Sequence, residues 1–141
     1  MKLFLDANVL VSVLNKEYPV FPYSARILSL TEQKGFTLTT SAICLAIAWY
    51  FAEKKYGRLP AKNKIDLLLE HIDITDCGKK EAALAIKNKK VNDLEDGLEY
   101  YSALNAKCNC IITSDTNDFY FSDLEVMEPE IFLKKYLRQK H

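Results

Sequence analysis

The sequence predicts a single α/β domain over residues 1–141, a parallel sheet with helices on both faces. Three observations predict it. Short apolar or β-prone runs alternate with segments of helical period along the chain. Polar residues, several of them aspartates, follow directly on those runs, where parallel strands end and ligands bind. At 141 residues the chain is long enough for one sizeable core, and no repeat, low-complexity stretch or linker divides it.

Taken in order, Lys2 to Leu5 reads as a buried strand, since Leu3, Phe4 and Leu5 are apolar without interruption. Asp6 ends it. From Asn8 to Leu14 the residues Val9, Leu10, Val13 and Leu14 recur at helical spacing. Asn15 to Pro22 carries two prolines and reads as a loop. A second helix is expected from Ser24 to about Lys34, stopped by Gly35, where a left-handed cap is favoured. Phe36 to Thr40 is the second strand. Ser41 is a good N-cap for a strongly apolar helix, Ala42 to Lys55, which ends before Gly57. Its apolar residues go most of the way round, which implies burial on several sides.

Pro60 is expected to open the next helix, with Ile65, Leu67, Leu68 and Leu69 as its apolar positions, and Ile72 to Ile74 reads as a short strand. Lys79 to Asn88 is amphipathic, with Ala82, Ala83, Leu84 and Ile86. Leu94 to Ala106 is a further helix, and Cys110 to Thr113 a buried strand. Glu125 to Met127 is a weak strand, and Pro129 suits the first position of a last helix running to about Arg138. Alternation of this kind argues for right-handed crossovers between parallel strands.

Composition narrows the function classes. Hydrophobic residues make up 49% and charged residues 27%, an ordinary globular balance. Lys plus Arg and Asp plus Glu each number 19, so no global basic field attracts nucleic acid, and such binding needs local patches or a bound cation. The four cysteines, Cys44, Cys77, Cys108 and Cys110, form no C-x-x-C pair; with His71 and His141 as the two histidines, a zinc site is not expected and the thiols read as reduced and structural. Asp6 breaks what would be a signal-peptide core, and the longest apolar run, Ala42 to Ala52, is about half a membrane span. A cytoplasmic location is the expectation.

Three acidic clusters stand at strand ends or helix starts: Asp6 with Asn8, Asp93 with Asp96, and Asp115 with Asp118 beside Ser114. Asp93 and Asp96, three apart, share a helical face. Any one of these acids is explained as a helix cap or dipole partner. Three clusters at strand ends are harder to explain so. Carboxylates brought together repel unless a cation lies between them, and oxygen ligands without nearby His or Cys suit magnesium or manganese. The chemistry this arrangement points to is metal-assisted hydrolysis of a phosphodiester.

At these residues the chain resembles the PIN-domain family, which includes the VapC-like ribonuclease toxins. FLDANVL, TTSAICLAIAWYFAEKK, DLEDGLEYYSAL and IITSDTNDF occur in the family's order and spacing over nearly the whole chain. The resemblance implies a three-layer α/β/α PIN-like fold with a mostly parallel sheet of about five strands. It implies Mg²⁺- or Mn²⁺-dependent RNA cleavage, a homodimer, and an antitoxin protein as partner. Asp6, Asp96 and Asp115 take the catalytic acid positions and Asp118 adjoins them as a fourth metal ligand, with Asn8, Asp93 and Ser114 supporting. One departure stands out. Many members carry a Glu six residues after the Ser that begins the helix following strand two; counting from Ser41, that position is Ile47, and Glu53 is too far along to replace it.

Lys54, Lys55 and Arg58 form a basic group that could meet RNA phosphates, as could Lys79, Lys80, Lys87, Lys89 and Lys90, although a charge run is commonly a solvated face. Tyr100 and Tyr101, and Trp49, Tyr50 and Phe51, read first as core or subunit contacts and only second as platforms for bases. His71 has no triad partners. The leading expectation is a PIN-type ribonuclease, the toxin of a toxin–antitoxin pair. The alternatives are a PIN-fold scaffold that binds RNA or protein without cleaving, and, more remotely, a haloacid-dehalogenase-type phosphatase with Asp6 as nucleophile. In the phosphatase pattern the second acid would fall where Asn8 stands.

Overall fold

The computed structural model describes residues 1–137. Five strands, β1 (Lys2–Leu5), β2 (Thr37–Ser41), β3 (Asp73–Thr75), β4 (Cys110–Ile112) and β5 (Glu125–Met127), form one sheet in the order β3-β2-β1-β4-β5. All four pairings are parallel, so the sheet is wholly rather than mostly parallel. The chain steps outward from β1 through β2 to β3, then returns to the other side of β1 with β4 and β5. The strand order therefore reverses between β1 and β4, and ligands of parallel sheets bind at such a crevice.

Seven helices flank the sheet among the described residues: α1 (Ala7–Leu14), α2 (Phe21–Leu28), α3 (Ala42–Tyr56), α4 (Arg58–Leu69), α5 (Lys79–Lys87), α6 (Leu94–Asn105) and α7 (Pro129–Leu137). Packing runs α4 to α3 to α1 to α2 to α7 in one layer, and α5 packs on α6. With right-handed crossovers, the reversed direction of the β3-to-β4 connection puts α5 and α6 on the opposite face. The core between these layers is nearly free of solvent at Leu3, Phe4, Leu10, Ile27, Leu38, Ile111 and Phe132. Each such side chain contributes about 1.5–3 kcal/mol by leaving water. Tyr100 is buried and Tyr101 half-buried against the core, as core packing requires.

Two elements differ from the sequence expectation, and a third meets it only in part. Helix α2 begins at Phe21, with Pro22 in its first turn, and stops at Leu28 before a 3₁₀ turn over Ser29–Glu32. Pro22 is tolerated there because first-turn N–H groups have no helical partner. The early stop follows from the hydroxyls of Ser29 and Thr31, which donate to the carbonyls of Arg26 and Leu28 at 2.7 and 3.2 Å. Helix α4 starts at Arg58, two residues before Pro60, immediately after Gly57 at φ 91°. Helix α3 is covered on several sides, by α1, α4 and the sheet, with Cys44, Ala48 and Ala52 buried, but its outer face is open, with Tyr50 and Phe51 58% and 42% exposed. Trp49 packs partly on the core and donates from Nε1 to Glu53 at 2.7 Å. The expected extension of the last helix to Arg138 lies outside the described residues, as does His141. No helix among the described residues is long and apolar enough to cross a membrane.

Candidate active site

The register places the ends of β1 and β4 side by side, since Leu5 pairs with Ile112. The next residues are Asp6 and Thr113. The Asp6 backbone N–H bonds to the Ile112 carbonyl at 3.0 Å, so its side chain leaves the sheet at the reversal of strand order. Asp6 is also the N-cap of α1: its Oδ1 accepts from the Ala7 N–H at 2.6 Å. The cap uses one oxygen of this carboxylate and leaves the other to different partners. Oδ2 accepts from the Thr113 hydroxyl at 2.8 Å and from Asn8 Nδ2 at 3.3 Å. Asp6 is only 7% exposed, and none of the ion pairs among the described residues involves it.

Asn8 ties this carboxylate to the loop after β4. Its Nδ2 also lies 3.1 Å from Thr113 Oγ1 and 3.3 Å from Asp115 Oδ2, and its Oδ1 accepts from the Ser114 N–H at 3.1 Å. Thr113 Oγ1 in turn accepts from the Asp115 N–H at 3.0 Å. Ser114 therefore takes part through its backbone.

Helix α6 supplies the acids from the opposite layer. Asp93 caps it, accepting from the Asp96 N–H at 3.2 Å, so Asp93 does the ordinary work of a helix cap. Asp96 turns toward Asp6. A cleft of about 330 Å³ is lined by Asp6, Asn8, Glu95, Asp96, Asp115 and Asp118, with Ile47 and Phe51 of α3 forming an apolar wall. Desolvation first, and then the charges of Asp93, Asp118, Asp6 and Glu95, raise the Asp96 carboxyl to about 7. Desolvation and then the charges of Asp115, Asp6 and Asp93 push Asp118 upward, and desolvation and then Asp93 and Asp6 push Glu95 upward. So many acids without a basic partner favour protons or a cation between them. The donors facing the cleft are hard oxygens, the chemistry magnesium and manganese accept.

Two residues of the site were not singled out in the sequence. Thr113 is one; a β-branched residue ending a strand looks like any core position. Glu99 is the other. It lies one turn beyond Asp96 on α6, fully buried, with a carboxylate oxygen, an Asp6 oxygen and Cys44 Sγ all within 4.8 Å of one another. Its signal was the three-residue spacing from Asp96, which puts both acids on one helical face.

The basic group at the end of α3 stands apart from the cleft. Lys55 Nζ donates to the Asn15 carbonyl at 2.6 Å, whereas Lys54 is exposed beside Tyr50, with Nζ 5.9 Å from the ring centroid, and Arg58 is exposed at the head of α4. Lys79, Lys80, Lys87, Lys89 and Lys90 are exposed along and after α5. All four cysteines are free thiols.

A parallel sheet whose order reverses at an acid-lined cleft defines an α/β domain with a candidate metal centre, and comparison gives that class a family. The sequence model of the PIN domain matches residues 2–117, and the chain belongs to the PIN domain family. It is 29% identical over 139 residues to Ribonuclease VapC1 of Aquifex aeolicus, covering 96% of this chain and 95% of that protein. Its fold is similar to VapBC2 from Rickettsia felis, solved bound to a DNA fragment from the promoter, with TM-score 0.69, 19% identity, and 91% and 98% of the two chains covered. It is similar too to VapBC-1 from nontypeable Haemophilus influenzae, with TM-score 0.68, 18% identity, and 92% and 99% covered. The sarcin-ricin-loop-cleaving toxin VapC20 of Mycobacterium tuberculosis aligns with TM-score 0.60 and 12% identity over 77% and 86%. Membership of the PIN family removes the phosphatase alternative.

Proposed function

We propose that this chain, a single PIN domain, is a Mg²⁺- or Mn²⁺-dependent endoribonuclease of the VapC type, the toxin of a cytoplasmic toxin–antitoxin pair. The observation that carries the reading is the convergence of Asp6, Asp96, Asp115 and Asp118, from three separated stretches of chain, on one cleft with no basic side chain lining it among the described residues. The donor set fits a hard divalent cation, held by Asp6, Asp96 and Asp115 with Asp118 beside them. When bound, such a cation neutralises the carboxylates, polarises a phosphoryl oxygen and activates water. It also offers RNA a local positive charge that a chain of zero net charge lacks.

The chain's own groups do the positioning. Thr113 and Asn8 hold Asp6 Oδ2, and the Ala7 N–H holds Oδ1, so the carboxylate meets its ligand in a fixed orientation. Asn8 keeps Asp115 in the same frame. Asp93 fixes the first turn of α6 and with it Asp96. Lys54 and Arg58 contact RNA phosphates, and the exposed Tyr50 and Phe51 belong to the surface that meets the antitoxin or a second copy. The named relatives support a toxin of an antitoxin-paired system.

The test is cleavage of RNA by the purified chain with Mn²⁺ or Mg²⁺. Asp6→Asn and Asp96→Asn, each folded by circular dichroism, are expected to abolish it, as is EDTA. Equal cleavage by both variants and in EDTA ends the reading. One observation favours the scaffold alternative: Ile47, not an acid, lines the cleft. RNA bound by a protein that takes up no Mn²⁺ at millimolar concentration would select it.

A further inference from the structure

Glu99 is a buried acid with an unpartnered oxygen among the described residues. It is 1% exposed, and its Oε1 has no hydrogen-bond partner among the described residues. No lysine or arginine pairs with it among the described residues. What surrounds it is Asp6, itself a carboxylate, and the Cys44 thiol, with ligand atoms of the three within 4.8 Å of one another. A carboxyl in such a place is costly unless a proton or a cation compensates it. The Cys44 S–H is a weak donor. Structural buried acids usually place their oxygens on N–H or O–H groups, whereas Glu99 has its Oε1 without one among the described residues and a carboxylate oxygen within 4.8 Å of Asp6.

We infer that Glu99 is a cation ligand of this site: a divalent ion at the floor of the cleft is shared between the carboxylates of Asp6 and Glu99, with the Cys44 sulfur alongside. Of the three residues, Asp6 is the one that also lines the cleft, so it joins the buried pair of groups to the open acids Asp96 and Asp115. Asp96 and Glu99, one turn apart on α6, then act on the ion from the same helical face. The inference rests on the nuclease reading, because it assumes that the cleft binds a cation at all. It adds an oxygen ligand from α6 to a cleft whose α3 wall is apolar at Ile47.

The experiment is Mn²⁺ binding to the full chain, by calorimetry and by loss of the free-ion paramagnetic resonance signal, with melting in EDTA as the check of folding. Glu99→Gln, the isosteric amide, is expected to weaken Mn²⁺ binding at least about ten-fold. Ile47→Glu, which adds an acid to the opposite wall, is expected to recover most of the loss in the Glu99→Gln background. Unchanged affinity in Glu99→Gln overturns the inference and leaves the nuclease reading standing. Should Glu99→Gln fail to fold, Glu99→Asp, which keeps the charge and withdraws the oxygen by one methylene, decides: Mn²⁺ affinity equal to the wild type overturns the inference. A wild-type chain that takes up no Mn²⁺ at millimolar concentration overturns both.

Discussion

The Thr113 hydroxyl donates a 2.8 Å hydrogen bond to Asp6 Oδ2, across a sequence distance of 107 residues. Both residues sit one position past the ends of adjacent parallel strands, so the bond fastens the acid to the sheet rather than to a loop. The same hydroxyl receives the Asn8 amide and the Asp115 N–H. Thr113→Val keeps the shape and removes all three bonds. The expected cost is about 1–3 kcal/mol, because buried polar partners lose their mate. Mn²⁺ affinity and RNA cleavage should fall by roughly 10–100-fold, as for partners that orient a ligand. Thr113→Ser should restore both. A Val variant with wild-type cleavage would show that Asp6 needs no such brace.

The cluster of acids predicts a pH dependence of the metal-free protein. Burial and the surrounding carboxylates raise Asp96 from its ordinary 3.8 to about 7 in the folded chain. The native state therefore holds a proton that the unfolded chain has already lost. Between about pH 4 and pH 7 the folded state binds more protons, so stability falls as pH rises through that window. Glu95 and Asp118 are shifted in the same direction. In EDTA, melting temperature should decline from pH 5 to pH 8, and Mn²⁺ should reverse the decline. Asp96→Asn should melt above the wild type in EDTA at pH 8 and lose most of the slope. Parallel profiles for the two proteins would show that the carboxylates do not strain each other.

How far the chain alone announced this arrangement can be judged residue by residue. Asp6 and Asp115 are readable because each stands just past a run of apolar β-prone residues, and in a parallel sheet that is where a side chain reaches a ligand. Asp96 was readable from its place in a helix's first turn, though its inward direction needed the packing of α6 across the sheet. Glu99 was not, since an acid among Leu98, Tyr100 and Tyr101 reads as a polar position and periodicity does not say what lies opposite. Helix α3 is legible only in part, for a related reason. Its apolar residues surround the axis, but Tyr50 and Phe51 look outward, and composition does not separate a side chain covered by this chain from one left for a partner.

Gly97 sets how closely α6 approaches α5. A Cβ there would lie 2.8 Å from Val91 Cγ1 and 2.9 Å from the Ala85 Cβ, closer than side-chain atoms pack. Gly97→Ala would push the helix carrying Asp96 and Glu99 away from α5. The gain in helix propensity, about 1 kcal/mol, is opposed by an overpacking cost of about 1–3 kcal/mol. The net expectation is a loss of up to about 2 kcal/mol in urea unfolding, together with weaker Mn²⁺ binding. A more stable variant would mean that α5 yields freely.

The two lysines at the end of α3 should separate by role. Lys55 is held by the Asn15 carbonyl at 2.6 Å, which ties α3 to the end of α1; Lys54 and Arg58 are exposed and free of ion pairs among the described residues. Lys55→Ala is therefore expected to lower stability by about 0.5–1.5 kcal/mol, the net worth of a hydrogen bond, with little change in RNA affinity. Lys54→Ala combined with Arg58→Ala should leave stability unchanged within about 0.5 kcal/mol, as for ordinary surface changes. If both residues neutralise phosphates of single-stranded RNA, the slope of log affinity against log salt should flatten by about 1.4. The measurement is fluorescence anisotropy of labelled RNA with Asp6→Asn as the common background, so that cleavage does not intervene. An unaltered salt slope in the double variant would remove this face from the RNA path.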